Sequence, residues 1–416
     1  MKKLLKVSVL TGLLTMLRMA MGFVIAKVVA VYTGPTGMAM LGQIQSIVTS
    51  LNGIINAPVG NGIVRYTAEH HSKGFEACTP WWRASLKWVA IISAFVIPLG
   101  ILLSSYIADI LLHNTSLAWV IVITVSVLPF SAIGTLCNSI INGQQLYRRF
   151  VGLGMISTLI SSAIMVSLII SANIKGALLA AAIQSALIGI VMLLANFRQP
   201  WMKYSFLIGK QDKQAFKSIS GYMLMALTSA ATVPISLIII RNILISQVGW
   251  NDAGYWQAIW KISEVYLGVI TIALGTYYLP RLSSLKKSEE IISEINKTVR
   301  IIIPIVIAMS ICVYFLRDFI IWLLFTEEFK PARNLFSVQL CGDVIKILSW
   351  LYAYPMISRG ATKWFISTEI IFSSSFVILS FILISKIGMY GVTWAYLINY
   401  IIYFLFIFFN IKRIIR

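Results

Sequence analysis

The sequence predicts an all-α polytopic membrane protein, with about twelve transmembrane helices in two lobes of six. Three observations carry this. Of 416 residues, 59% are hydrophobic and the mean hydropathy is +0.87, more apolar material than a soluble core of this length can bury. Apolar runs of about 20 residues, the length a helix needs to cross a hydrocarbon core, recur along the whole chain. No long polar stretch separates them, which excludes a sizeable soluble domain.

The first run covers residues 8–31, after the basic start Met1-Lys2-Lys3-Leu4-Leu5-Lys6. Arg18 interrupts it and no A-x-A cleavage site follows, so a retained first helix is expected in place of a secretory leader. Runs at 38–62, 84–106, 117–141, 151–172 and 176–196 complete a first half. Ahead of the third, Thr79-Pro80-Trp81-Trp82-Arg83 is expected to start an interfacial helix, with Thr79 as cap and Pro80 in the first turn. Runs at 218–245, 252–279, 298–321, 333–357, 364–385 and 389–410 form the second half. The polar segment from Asn196 to Lys217 separates them. It divides the chain into an N-terminal lobe (1–196), a cytoplasmic linker (197–217) and a C-terminal lobe (218–416).

The balance of 34 Lys and Arg against 14 Asp and Glu would suggest nucleic acid in a soluble protein. The positions of the charges exclude that partner. Assigning loops alternately to two sides places 24 basic residues on one side, among them Lys2, Lys3, Lys6, Lys286 and Arg416. Only Lys175, Arg317, Lys330, Arg333 and Lys386 fall on the other. The positive-inside rule then makes the richer side, with both termini, cytoplasmic. Cys78, Cys137, Cys312 and Cys341 are scattered singly, and His70 and His71 point about 100° apart on a helix, so neither a disulfide framework, a metal site nor a cofactor is expected.

Five basic residues remain inside apolar spans: Arg18, Lys27, Arg241, Lys261 and Lys346, with Glu264, Asp343 and Glu369 as acidic companions. A charge near the bilayer centre costs at least about 2.5–3.5 kcal/mol, so each must face protein or a water-filled cavity. Helical spacing aligns Thr11, Thr15, Arg18 and Gly22 in the first span, Gln43, Ser46, Ser50 and Gly53 in the second, and Gln257, Lys261, Glu264, Gly268 and Thr271 in the eighth. Such stripes predict a lumen. Pro234 lies two turns before Arg241, for which lumen lining and snorkelling to the interface are both open readings; Lys27, near a helix end and turned away from Arg18, is expected to snorkel. Lys261 with Glu264, and Asp343 with Lys346, stand at i, i+3, where each pair can neutralise itself or serve transport. Arg18, Arg241, Lys261, Glu264, Gln257 and Gln43 are the candidate substrate contacts, Asp343 and Lys346 the candidate ion-coupling groups. The net-positive set calls for an anionic ligand, and a diphosphate suits guanidinium groups.

The segments Ala26 to Gly37, Gly60-Asn61-Gly62-Ile63-Val64-Arg65-Tyr66 and Met225 to Leu285 resemble the enterobacterial polysaccharide flippases. Within the last, Arg241-Asn242, Gly254-Tyr255-Trp256-Gln257 and Tyr278-Leu279-Pro280-Arg281-Leu282 match closely, as do Leu316-Arg317-Asp318-Phe319, Trp322-Leu323-Leu324-Phe325 and Gly342-Asp343-Val344-Ile345-Lys346. The chain is thus similar to the O-antigen and common antigen (lipid III) flippases of the polysaccharide transporter family, in the multidrug, oligosaccharidyl-lipid and polysaccharide exporter superfamily. This resemblance implies a V-shaped fold with helices one, two, seven and eight around a central cationic cavity. It also implies a bacterial inner-membrane location and a glycan on undecaprenyl diphosphate, moved from the cytoplasmic to the periplasmic leaflet by alternating access, with an O-antigen polymerase and chain-length regulator as partners. Departures from the lipid III pattern at Gln43 to Gln45 and through the third to sixth spans favour an O-antigen unit. A cation-coupled multidrug exporter is the alternative of a different class, and would call for an acidic cavity. A polymerase would need a large catalytic periplasmic loop, which the sequence lacks, so a transporter and not an enzyme is expected.

Overall fold

The computed structural model describes residues 2–210, 212–285 and 287–415, apart from the side chains of residues 2–10, 221, 222, 224, 225, 273, 276 and 280. The side chains of Lys2, Lys3, Lys6, Met225 and Pro280, and all of Lys286 and Arg416, therefore lie outside what is described. The helices are α1 (Lys2–Asn56), α2 (Asn61–His70), α3 (Thr79–Leu102), α4 (Ser104–Leu112), α5 (Ala118–Ser126), α6 (Leu128–Gly143), α7 (Tyr147–Asn196) and α8 (Tyr204–Leu207). There follow α9 (Lys213–Gln247), α10 (Trp250–Ala273), α11 (Leu279–Ser284), α12 (Ser288–Phe315), α13 (Arg317–Leu324), α14 (Phe336–Ser358), α15 (Thr362–Ile387) and α16 (Tyr390–Ile415).

Two helices are pairs of arms. In α1 the arms meet at Gly34, whose φ of 62° suits a residue without a side chain and precedes Pro35. In α7 they meet at Asn173, φ 50°, one of the residue types that tolerates this region. A Cβ on Gly176 would overlap the Leu168 carbonyl, so this turn is tight. Among the described residues, nine helical segments are long and apolar enough to cross a bilayer. Counting both arms of α1 and of α7, and adding the 24-residue α10 with its intramembrane charges, gives the twelve crossings expected.

Prolines explain several interruptions. The fourth expected span is α5 and α6, parted at Val127 just before Pro129. Pro80 sits in the first turn of α3, as expected, but Thr79 is the first helical residue and not its cap, and its hydroxyl donates to the Glu76 carbonyl at 2.8 Å. No separate interfacial helix forms there, because α3 runs on without a break to Leu102. Between α10 and α11 the helix widens into a π-turn, Leu274–Tyr278.

The chain forms two compact units, one of residues 1–32 and 40–235, the other of residues 33–39 and 236–416. The boundary in α9 falls beside Pro234. The core of the first unit gathers Trp82, Trp201, Ile55, Ile63, Leu136 and Ile140, all buried. Residues 197–210 and 212–217 are packed onto it: Trp201 meets Trp82 edge-on at 6.5 Å, Arg83 donates to the Ser205 carbonyl, and Asp212 caps α9 by accepting from the amides of Gln214 and Ala215 at 2.7 and 2.9 Å. The core of the second unit gathers Leu274, Tyr278, Leu282, Ile347, Leu351 and Ile407.

Candidate functional site

In the first unit, the stripe on α1 lies open. Thr15 donates to the Thr11 carbonyl at 2.9 Å, which satisfies its hydroxyl within the helix, and Arg18 is exposed in the middle of an apolar arm. A Cβ built on Gly22, one turn later, meets no atom within 4 Å. The stripe on the second arm is different. Gln43 has no exposed surface, Ser46 donates back to the Gly42 carbonyl at 2.9 Å, and a Cβ on Gly53 would overlap Ala230 of α9. That face is close-packed in this conformation, although its polarity alone suggested a lumen.

In the second unit, Arg241 on α9 is 1% exposed, so it does not snorkel. Its Nη2 donates to Gln257 Oε1 on α10 at 2.7 Å, and its guanidinium stands 5.7 Å from the Trp256 ring. The i, i+4 and i, i+3 spacings on α10 then build a second arrangement. Lys261 Nζ lies 3.3 Å from Glu264 Oε2, while Trp260 Nε1 donates to Glu264 Oε1 at 3.0 Å. This pair is made and partly exposed, with 29% of the lysine and 49% of the glutamate side chain accessible.

Asp343 and Lys346 do not form the pair their spacing suggested. The Asp343 carboxylate, fully buried, accepts from the Ser263 and Tyr266 hydroxyls at 2.6 Å each, the Tyr396 hydroxyl at 2.9 Å and the Gln339 amide at 3.4 Å. Donors from α10, α14 and α16 thus fill both oxygens. Lys346 turns away, and its ammonium lies 5.0–5.6 Å from the ring centroids of Trp260, Trp350, Tyr396 and Tyr400. Four aromatic faces there replace the missing carboxylate, since each carries partial negative charge towards a cation. Ser263, Tyr266, Tyr396 and Tyr400 were not anticipated. The signals for them were Tyr396, Tyr400 and Tyr403 at i, i+4, i+7 on the last helix, and Ser263 and Tyr266 at i, i+3 beside the α10 stripe. Among the described residues no cluster of three His, Cys, Asp or Glu is placed to hold a metal ion.

The fold matches that of known transporters. An inward-facing multidrug resistance MATE family transporter of the MOP superfamily superposes with a TM-score of 0.77 at 13% identity, over 96% of this chain and 98% of that one. The lipid II flippase MurJ in an inward closed conformation gives 0.74 at 16%, over 98% and 87%. In sequence, the lipid III flippases of Escherichia coli K12 and Shigella flexneri are each 29% identical over 96% of both chains. The family model described as "Polysaccharide biosynthesis protein" matches residues 4–286, more than half of the length, and the chain therefore belongs to the polysaccharide biosynthesis protein family.

Proposed function

We propose that this protein is a flippase for O-antigen repeat units, carrying them on undecaprenyl diphosphate from the cytoplasmic to the periplasmic leaflet of the inner membrane by alternating access. The observation that carries the reading is Arg18, a guanidinium left exposed midway along an apolar arm. Such a charge is costly unless it has a task, and a planar donor fork suits diphosphate oxygens. Family membership and the flippase names of relatives matched over 96% of the chain support it. Lys261 supplies a second accessible cation, moderated by Glu264, and Arg241 a third that reaches a ligand once its bond to Gln257 opens. Gln43, closed off in this conformation, contacts the glycan only where α1 and α9 part. Asp343 and Lys346 couple transit to an ion, both termini are cytoplasmic, and a polymerase with its chain-length regulator receives the product.

Lipid III is the second reading, favoured by the named substrate of the curated relatives. Complementation separates the two. The gene is expressed in one strain lacking its O-antigen flippase and in another lacking its lipid III flippase, and each surface glycan is scored with membrane abundance in parallel. O-antigen restored without common antigen supports the first reading, and the reverse supports the second. Arg18→Ala should lose most activity, by about ten- to a hundredfold in affinity for one lost charge-assisted contact. Full activity of a triple Arg18→Ala, Arg241→Ala, Lys261→Ala variant at normal abundance would refute the diphosphate role.

A further inference from the structure

A groove of about 560 Å³ runs between α12, α14 and α16 of the second unit, lined by Ile307, Ser310, Ile311 and Tyr314, by Cys341, and by Ile401. It opens sideways: Ile307, Ile311 and Ile401 are 41%, 51% and 39% exposed. From Ile307 to Phe315 its α12 wall is about 12 Å long at 1.5 Å rise per residue, long enough for a stretch of hydrocarbon chain to lie along it.

Two further features distinguish this groove from ordinary lipid-facing surface. Arg317, one residue past the loop that ends α12, donates from Nη1 to the Tyr314 carbonyl at 3.0 Å and stacks on the Tyr314 ring at 4.1 Å. Among the described residues it makes no ion pair, so a groove residue holds an unneutralised cation at one end of an apolar channel. Ser310, in the wall, lies 3.4 Å from the Tyr266 hydroxyl, which donates to Asp343. The wall thus reaches the buried carboxylate network.

We infer that the groove binds the polyprenyl chain of a carrier lipid, with its phosphate against Arg317. The inference rests on the flippase reading for the presence of such a carrier. To test it, the full-length protein in phosphatidylcholine nanodiscs is irradiated with undecaprenyl monophosphate bearing a diazirine in its chain, and adducts are located by mass spectrometry. Adducts should concentrate on residues 307–315, 340–345 and 397–401. Arg317→Gln should cut labelling about tenfold, the loss of one charge-assisted contact, while Arg317→Lys keeps most of it. Ile311→Trp, which narrows the channel, should cut the adducts severalfold at an unchanged melting temperature; an Ile311→Trp protein that melts early is replaced by Ile401→Trp, on the α16 wall, with the same expectation. Unlabelled undecaprenyl phosphate should compete where equimolar phosphatidylglycerol does not. Adducts spread evenly over lipid-facing helices, undiminished labelling in the narrowed groove, or equal competition by phosphatidylglycerol overturns the inference, the last by making this a general anionic phospholipid site. Labelling needs no transport. Groove adducts without complementation would dismiss the flippase reading and keep the site, and complementation without groove adducts would do the reverse.

Discussion

Replacing Asp343 by Asn tests whether the buried carboxylate does more than hold the second unit together. Its Oδ1 accepts from Tyr396 and Gln339, and its Oδ2 from Ser263 and Tyr266. Asn keeps an oxygen for the first two and turns its amide nitrogen to the second two, whose hydroxyls can accept as well as donate. The Tyr266 proton then has Ser310 Oγ within 3.4 Å. Hydrogen bonds to a charged group contribute about 1.5–3 kcal/mol and neutral ones about 0.5–1.5, so the exchange costs roughly 1–3 kcal/mol, offset in part because a neutral group is cheaper to bury. Asp343→Ala has no such remedy: four donors lose their acceptor, at a cost of about 3–5 kcal/mol. Thermal melting of purified protein and membrane abundance read these costs, and surface glycan in a complemented strain reads transport. The Asn variant should be abundant and fail to transport, and the Ala variant should be scarce. Normal surface glycan from the Asn variant at every external pH tested would show that the carboxylate is purely structural.

Four other outcomes follow from the same geometry. Arg241→Lys removes the fork that reaches Gln257 Oε1 and should cost about 1–3 kcal/mol, read as early melting that Gln257→Ala reproduces. Gly254→Ala should deplete the protein from membranes, since its Cβ overlaps the Pro35 carbonyl, whereas Gly275→Ala, whose Cβ meets nothing within 4 Å, should leave abundance unchanged. Because Tyr396 donates to Asp343 while its ring faces Lys346, the stability losses of Asp343→Asn and Lys346→Met should depart from additivity by about 0.5–3 kcal/mol, and strict additivity in a double-mutant melting cycle would show that the two sites are independent. Reporter fusions after Leu112, Ile174 and Val248 should all report periplasm, and a cytoplasmic signal at Val248 would overturn the expected topology.

The crossings were legible because bilayer thickness sets a length and lipid sets a composition, and both can be counted along a chain. The arms meeting at Gly34 and Asn173 fall where the apolar runs stop. What the sequence could not convey was the partner on the facing helix. Spacing placed Asp343 and Lys346 on one face of α14, and local reasoning then paired them. The structure instead offers Asp343 hydroxyls from residues 53 to 80 positions away, and offers Lys346 rings from α10 and α16. The same holds for Arg241, whose lumen and interface readings were both argued on one helix, while Gln257 on the next decided for burial. A charge that spacing pairs within a helix is therefore best weighed against the donors and rings its neighbours can supply. Tyr396 nonetheless ties the two groups together, because its hydroxyl donates to Asp343 while its ring faces Lys346, so any movement of α16 changes the surroundings of the acid and of the base at once.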